Sequence, residues 1–257
     1  MEAVRCLALG KGEPVLNKVA IVTGASRGIG KSIAEELARH GIFVVINFKS
    51  SETLAEKTLA GIRREGGNGM ICQADISVHA QARGLVEHTL SVCGRLDILV
   101  NNAGVSHHGL LMDTTEEDYD LLMDTNLKGA FNVTKLALPA LLKTRGNILN
   151  ISSIWSQHGA ANEVIYAMTK AGINAFTKSL AKELAPMGVR VNSIAPGLID
   201  TEMNGNLSAE EKEAMVCYLA SHRMGTVQDV AMTAWFLLSE EAAYINGQII
   251  TIDGGLL

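Results

Sequence analysis

Short apolar runs alternate with longer amphipathic stretches along almost the whole chain of 257 residues, and this alternation constrains the fold more than any other feature. Runs that are apolar throughout suit strands buried on both faces, and the stretches between them have the length and period of helices. This order predicts a parallel, doubly wound α/β sheet with helices on both faces. Seven strands are predicted, near residues 19–22, 43–46, 70–72, 96–100, 147–151, 189–194 and 248–252. Helices are predicted near residues 28–40, 52–64, from 78 onward, 115–124, 127–143 and around Tyr166 to 184, with two more before the last strand.

The composition suits one sizeable domain and argues against several other classes of protein. Hydrophobic residues make up 47% of the chain, which is enough for a well-buried core. The net charge of -5 and the lack of a Lys/Arg cluster argue against a nucleic-acid partner. No apolar run reaches the roughly 18 residues of a membrane span, and the first residues do not resemble a signal peptide. The four scattered cysteines predict neither disulfides nor a metal site, and therefore a reduced, cytoplasmic setting.

The strand–helix pattern begins at about Leu16, so the chain divides into an extension of doubtful status, residues 1–15, and a single domain, residues 16–257. Residues 11–13 are compatible with a ribosome-binding sequence in the coding strand, and Val15 with an alternative start codon. Two interpretations follow. One is a misassigned start near Val15, and the other is a genuine tail that packs on the surface.

A glycine-rich turn, residues 23–30, lies between the first predicted strand and the first predicted helix, with the sequence Thr-Gly-Ala-Ser-Arg-Gly-Ile-Gly. Glycines let the backbone of such a turn approach a pyrophosphate, and the helix N-terminus offers free N–H groups and a positive dipole end. This context indicates a dinucleotide site of the Rossmann type, although a tight turn without a ligand has the same local pattern.

The residues after the second and third strands favour NADP(H) over NAD(H). Residues 47–51 contain no carboxylate to accept hydrogen bonds from the adenosine ribose and to repel a 2′-phosphate. Arg27 in the turn and Lys49 after the strand are placed to face that phosphate, although Lys49 also suits a solvated surface. Asp75 is placed to hydrogen-bond the adenine amino group, or else to cap the next helix.

Tyr166 and Lys170 are one helical turn apart, so both side chains project from one face of a helix. The Asn-Asn-Ala-Gly segment at residues 101–104, Asn126 and Ser153 precede them in the sequence, and Pro196-Gly197 and Asp253-Gly254-Gly255 follow. Together with the glycine-rich turn, these motifs closely resemble the short-chain dehydrogenase/reductase family over residues 18–255.

The resemblance implies a role for each matching residue. Tyr166 would be the general acid in ketone reduction and the base in alcohol oxidation, and Lys170 would lower its pKa and bind the nicotinamide ribose. Ser153 would hold the substrate carbonyl, and Asn126 would position a water that resupplies protons through Lys170. Implied cofactor contacts are Gly24, Ser26, Arg27, Gly28, Ile29, Gly30, Asn47, Lys49, Ser50, Asp75, Ile76, Asn102, Ala103, Gly104, Tyr166, Lys170, Pro196, Gly197, Ile199 and Thr201.

Within this family the chain is similar to bacterial 3-oxoacyl-acyl-carrier-protein reductases of fatty acid biosynthesis, on residues 18–30, 125–129 and 253–255. Those reductases dock their acidic carrier protein through basic side chains near the mouth of the site. At the corresponding positions this chain has Thr144 and Met187, with Arg145 adjacent to the first. The sequence therefore weakens the acyl-carrier assignment without excluding it.

A second resemblance is to reductases that complete a 5-aminopentanone modification on elongation factor P. It rests mainly on Ser153-Ile154-Trp155 and on Glu163, three residues before Tyr166. A carboxylate at residue 163 suits an ammonium on the substrate, and Trp155 suits its aliphatic stem or its charge. The alternatives are a solvated Glu163 and a Trp155 that packs in the core or an interface.

Three further expectations concern the surroundings of the site. His107 and His108 are expected in the loop at the substrate mouth without a metal, and residues 203–218 are expected to form a lid. The resemblance implies a homotetramer that uses the helices near residues 127–143 and 166–184 and the last strand. A non-catalytic NADP(H)-binding sensor is the alternative of another class, and the presence of Asn126, Ser153, Tyr166 and Lys170 disfavours it.

Overall fold

The seven strands form one parallel sheet in the order β3-β2-β1-β4-β5-β6-β7. The strands are β1 (Val19–Val22), β2 (Phe43–Phe48), β3 (Gly69–Gln73), β4 (Ile98–Asn101), β5 (Asn147–Ile151), β6 (Arg190–Pro196) and β7 (Ile249–Ile252). The order of the strands reverses between β1 and β4, which is where doubly wound sheets bind their ligands. The predicted fold class is confirmed.

The computed structural model describes residues 18–202, 216–217 and 219–256. Three predictions therefore lie wholly or mostly outside the described residues. They are the extension at residues 1–15, the domain start at Leu16 and the lid at residues 203–218. No helix among the described residues is long and apolar enough to cross a membrane.

Helices cover both faces of the sheet. They are α1 (Gly28–Arg39), α2 (Glu52–Arg64), α3 (His79–Cys93), α4 (Glu116–Leu122), α5 (Gly129–Thr144), α6 (Trp155–His158), α7 (Val164–Leu184) and α8 (Val227–Leu238). Short 3₁₀ turns occupy Leu111–Asp113, Ala185–Met187 and Glu240–Ala242. Helices α1, α2 and α8 pack on one face, and α3, α5 and α7 pack on the other.

Alternation of side chains along the strands gives each face its own core. Ala20 and Val22 of β1 belong to the core beneath α1, α2 and α8, whereas Val19 and Ile21 belong to the core beneath α3, α5 and α7. All four are fully buried, so the first apolar run is a strand covered on both sides. The carboxyl ends of β1, β4, β5 and β6 consequently meet at one well-supported edge.

One helical region differs from the prediction. Residues 115–124 and 127–143 were expected to form two helices, but α4 and α5 are joined by a π-helical segment, Met123–Lys128. Asn126 lies inside that segment rather than at the start of a helix. Single π turns inside α-helices are often found at functional sites because the extra residue redirects a side chain.

Candidate active site

The turn after β1 is held by hydrogen bonds from the turn after β4. The Thr23 hydroxyl accepts the backbone N–H groups of Asn102 and Ala103, both at 3.0 Å. The Asn102 amide donates to the carbonyls of Thr23 and Gly24, at 2.9 and 3.1 Å. These bonds fix the glycine-rich turn at the switch point of the sheet. Thr23 was missing from the predicted contacts, although its place at the end of a strand was a usable signal.

Two glycines of this turn are required by close approach. A Cβ at Gly24 would lie 2.8 Å from the Ala103 Cα, and a Cβ at Gly30 would overlap the Asn102 amide. A Cβ at Gly28, by contrast, would meet no atom within 4 Å. The N-cap residue of α1, Arg27, makes no side-chain capping bond. The turn therefore has the open cradle and the donors that suit a pyrophosphate.

The polar residues near the adenosine end are engaged with one another. Asn47 is buried, and its amide donates to the Ala74 and Cys72 carbonyls at 3.0 and 3.3 Å while its oxygen accepts the Gly24 N–H at 3.4 Å. It therefore joins β2, the segment after β3 and the turn. Lys49 pairs with Asp75 at 2.7 Å, and Arg27 pairs with Glu202 at 3.2 Å.

Asp75 does not cap α3, whose N-cap residue is Val78. Its carboxylate accepts the backbone N–H and the hydroxyl of Ser77, at 3.0 and 2.6 Å. Burial acts to raise the pKa of Asp75, but the hydrogen bonds from Lys49 and Ser77 outweigh it and lower that pKa. The carboxylate is therefore ionised at neutral pH.

The remaining predicted cofactor residues lie along the same edge of the sheet. Ile76 is buried against Gly129, and Ser26 accepts a hydrogen bond from Thr58 through its carbonyl. Ser50 is exposed after β2, and Thr201 is partly exposed. Ile29 is partly buried against the core beneath α1. Pro196 ends β6, and Gly197 after it donates its N–H to the Ile252 carbonyl. Ile199 is buried and forms a β-bridge with Gly225.

Asn126 is buried in the π-helical segment and connects the loop after β4 with α7. Its side-chain oxygen accepts the Val105 N–H at 2.8 Å, and its amide donates to the Val105 carbonyl at 2.9 Å and to the Thr169 hydroxyl at 3.1 Å. Gly104 lies against both Asn126 and Lys170. A Cβ added at Gly104 would be 3.3 Å from the Asn126 side-chain oxygen and 3.4 Å from the Lys170 ammonium. Thr169, buried on α7, was not among the predicted residues.

Ser153, Tyr166 and Lys170 come together at the carboxyl ends of β5 and β6. Ser153 is buried, and its hydroxyl lies close enough to Tyr166 to lower the pKa of that phenol. The Lys170 ammonium is also buried, donates to the Ile151 carbonyl at 2.9 Å and lies 5.6 Å from the centroid of the Tyr166 ring. The structure thus brings together the four residues that the sequence predicted for the chemistry.

Burial dominates the electrostatics of this group. It raises the pKa of Tyr166 to about 12, with a further increase from the Glu163 carboxylate and a decrease from the Ser153 hydrogen bond. Burial also lowers the pKa of Lys170 to about 8. The role implied for Lys170, lowering the pKa of Tyr166, stays a prediction, because the upward shift is a net effect in which burial is the largest cause.

Two further residues predicted to bind substrate, Glu163 and Trp155, lie close to Tyr166 and Ser153 respectively. Glu163 is the N-cap residue of α7, makes no side-chain capping bond, and has a pKa raised by burial and partly offset by His108. Trp155 is partly buried at the start of α6 and donates its backbone N–H to the Ser153 hydroxyl at 3.3 Å. His107 lies 3.5 Å from Asp118. Within the described ranges no group of three His, Cys, Asp or Glu residues is placed to hold a metal.

Thr144 and Met187 lie far from Tyr166 of their own chain. Thr144 ends α5 just before β5, and Met187 lies just before β6, so both are at the amino edge of the sheet while Tyr166 is at the carboxyl edge. The helices cross the sheet and return the chain to the opposite edge. Arg145 is exposed there, packed over Gly188.

The fold and this constellation define a class of protein, the nicotinamide-dependent oxidoreductases built on a doubly wound sheet. The chain belongs to the short-chain dehydrogenase/reductase family. Residues 24–257 match a model of that family described as enoyl-(acyl carrier protein) reductase. The family predicted from the sequence is confirmed.

Similar proteins are found among enzymes and solved structures. The 3-oxoacyl-[acyl-carrier-protein] reductase FabG of Staphylococcus aureus (strain Mu50) is 42% identical over 94% of this chain and 98% of its own. The 3-oxoacyl-[acyl-carrier-protein] reductase of Synechocystis is 41% identical over 93% and 97%. The crystal structure of a dehydrogenase/reductase from Sinorhizobium meliloti 1021 has a TM-score of 0.89 at 33% identity, covering 94% of this chain and 95% of that one.

Proposed function

We propose that this protein reduces the ketone of a 3-oxoacyl thioester with NADPH, and that Tyr166 donates the proton. The observation that carries the proposal is the placement of the buried Ser153 beside Tyr166 at the carboxyl edge of the sheet, where the phenol has a pKa of about 12 and is therefore protonated at neutral pH. The identity with the Staphylococcus and Synechocystis reductases supports this substrate class.

The proton chemistry divides among the four residues. Ser153 and Tyr166 hydrogen-bond the substrate carbonyl oxygen, and Tyr166 transfers its proton to that oxygen as negative charge develops. Lys170, with a pKa of about 8, exchanges protons near neutral pH and suits a relay to the phenolate. Asn126 holds the loop at Val105 by a hydrogen bond, and its side-chain oxygen and the Lys170 ammonium both lie close to Gly104. This arrangement supports a role for Asn126 in proton resupply. The nicotinamide, when bound, supplies the hydride.

The charges near the adenosine end support NADPH as the cofactor. Lys49 and Arg27 are exposed cations beside the turn, and in the structure each pairs with a carboxylate, Asp75 and Glu202 respectively. A 2′-phosphate would compete with those carboxylates for the two cations. Asp75, held by Ser77 as well, would remain ionised and face the adenine amino group.

Oxidation of NADPH, followed by absorbance with acetoacetyl-coenzyme A as substrate, tests this function. We expect turnover by the wild-type protein and a loss of about 10³-fold or more in Tyr166→Phe, with NADPH binding retained. Equal turnover in Tyr166→Phe would refute the proton-donor role. A wild-type protein that binds NADPH but reduces neither this thioester nor other ketones would support the non-catalytic sensor instead.

A second candidate substrate is the 5-aminopentanone group on elongation factor P. The observation in its favour is the half-buried Glu163 carboxylate, which is close enough to raise the pKa of Tyr166, together with Trp155, which donates its backbone N–H to the Ser153 hydroxyl. A carboxylate in that position suits a substrate ammonium. Intact-mass analysis of elongation factor P from a strain lacking this protein tests the candidate: a mass lower by about two hydrogens supports it, and an unchanged mass excludes it.

We also propose that a second copy of the chain covers the outer face of α5 and α7, within a homotetramer. A shallow groove there is lined by Leu127, Phe131, Phe176 and neighbouring residues, and Phe131 and Met168 are 46% and 47% exposed. Exposed apolar surface of this kind is typical of subunit interfaces. Light scattering of the wild-type protein and of Phe131→Glu tests this: the variant is expected to dissociate, and a monomeric wild-type protein would refute the proposal.

A further inference from the structure

The Ser156 hydroxyl bridges the two segments that carry the chemistry. Ser156 lies on α6, three residues after Ser153, and its hydroxyl donates a short hydrogen bond to the Ser153 carbonyl. The same hydroxyl accepts a hydrogen bond from the Asn174 amide at 2.7 Å. Asn174 lies on α7 one turn after Lys170, so the bridge runs from the helix of Tyr166 and Lys170 to the turn of Ser153 and Trp155.

Packing does not explain the amide at Asn174. The residue is 8% exposed, and its side-chain oxygen has no hydrogen-bond partner among the described residues. A buried carbonyl without a partner lowers stability, and a leucine has the same number of side-chain heavy atoms and the same branching without that cost. The hydrogen bond to Ser156 is therefore the feature of Asn174 that calls for a role.

The segment from Ile151 to Ser156 is attached to α7 at both of its ends. At the strand end, the Ile151 carbonyl accepts from the Lys170 ammonium at 2.9 Å, and the Ser152 hydroxyl donates to the Lys170 carbonyl at 3.1 Å. At the other end, the attachment is the bond between Ser156 and Asn174. Ser153 lies between the two anchored points.

We propose that Asn174 and Ser156 are positioning residues that hold the Ser153–Trp155 turn against α7 and so fix the Ser153 hydroxyl relative to the Tyr166 hydroxyl. They touch neither substrate nor cofactor, and they act through the backbone of Ser153. This inference rests on the proposed reductase function, in which both hydroxyls meet one carbonyl oxygen. Small displacements of such groups lower kcat strongly because the reacting atoms must be aligned.

Kinetics of Asn174→Leu provide the first test. We expect kcat with acetoacetyl-coenzyme A to fall about tenfold, the KM for NADPH to stay unchanged, and the urea midpoint to stay unchanged or rise. The matched control is Asn147→Leu, since Asn147 also has a buried unpaired oxygen but lies at the start of β5, at the opposite edge. The control is expected to retain kcat.

A double-mutant cycle separates positioning from independent damage. Ser156→Ala is expected to lower kcat as Asn174→Leu does, and the double variant should be no slower than the slower single variant, because both remove one bridge. Ser156→Thr, which keeps a hydroxyl, should restore most of the rate. Additive losses, or a Thr variant as slow as Ala, would overturn the inference.

Tryptophan fluorescence gives a readout that does not depend on the substrate. In a Trp235→Phe background Trp155 is the one remaining tryptophan of the chain. Acrylamide quenching of Trp155 should rise in Asn174→Leu and Ser156→Ala but not in Asn147→Leu, because α6 loses an anchor. Failure of wild-type turnover would refute the proposed function, and the quenching would still decide this inference. Unchanged quenching, or losses of kcat matched by a fall in the urea midpoint, would overturn it.

Discussion

On the β1–β3 side of the site the polar side chains are paired with one another or with the backbone. On the β5–β6 side, by contrast, the Tyr166 hydroxyl and the Lys170 ammonium are desolvated. Lys49 and Arg27 are exposed and ion-paired, and Asn47 is hydrogen-bonded on both its oxygen and its nitrogen. Tyr166 and Lys170 instead have pKa values of about 12 and about 8, both set mainly by burial.

The two sides therefore tolerate different changes. The β1–β3 side depends on backbone approach, so an added methyl group is harmful there while an exposed charge is worth little to stability. On the β5–β6 side the pKa values of Tyr166 and Lys170 depend on burial away from water. Removal of the buried Lys170 charge should therefore change both activity and stability. Substitutions on the two sides should therefore separate effects of backbone contact from effects of burial.

Lys170→Met is expected to have the largest effect, because it removes the proton relay and the buried ammonium together. We expect kcat to fall by about 10² to 10⁴-fold. The free energy of unfolding at pH 7 should rise by about 1–3 kcal/mol, since burial of the charged amine is what lowers the pKa of Lys170 from 10.5 to about 8. Steady-state kinetics and urea denaturation measure the two effects.

The pH dependence of that stability gain has a defined sign. Below pH 8 the amine is protonated in both the folded and unfolded states, so the cost of burial is complete. Between pH 8 and 10.5 the unfolded wild-type chain binds more protons than the folded one, and wild-type stability therefore rises with pH. The advantage of Lys170→Met should shrink over this window; a constant or growing advantage would contradict the pKa.

Gly30→Ala should cause the second largest effect, because its Cβ would overlap the Asn102 amide that holds the turn. We expect the Kd for NADPH to rise at least about tenfold as the turn shifts. Titration of the cofactor fluorescence measures this. The matched control is Gly41→Ala, at the other end of α1, where φ is +76° and no atom lies within 4 Å. That variant should be strained but should bind NADPH normally.

The strands, most helices and the grouping of Asn126, Ser153, Tyr166 and Lys170 were predictable from the sequence because they depend on apolar periodicity and on motifs at fixed spacing. The π-helical segment around Asn126 was not, because it follows from tertiary hydrogen bonds to Val105 and Thr169 rather than from local propensity. The net upward shift of the Tyr166 pKa was not predictable either, since spacing along a helix reveals a neighbouring lysine but not the extent of burial.

Lys49→Ala should have a smaller effect, confined to the choice of cofactor. We expect the KM for NADPH to rise about three- to tenfold and that for NADH to change little, because one charge-assisted contact to a 2′-phosphate is lost. Stability should stay within about 0.5 kcal/mol, since Lys49 is exposed and its pair with Asp75 is screened. A parallel rise in both KM values would indicate that Lys49 does not distinguish the phosphate.

Glu163→Gln is expected to have the smallest effect on rate and the clearest effect on pH dependence. The Glu163 carboxylate raises the pKa of Tyr166, so its removal should lower that pKa. Alcohol oxidation needs the phenolate, and its rate should therefore begin to rise at a lower pH in the variant than in the wild-type enzyme. The control is Glu183→Gln, near the other end of α7, which should leave the profile unchanged. A profile that does not move, or that moves equally in both variants, would mean that the desolvation of Tyr166 acts without Glu163 and that the β5–β6 side is tuned by burial alone.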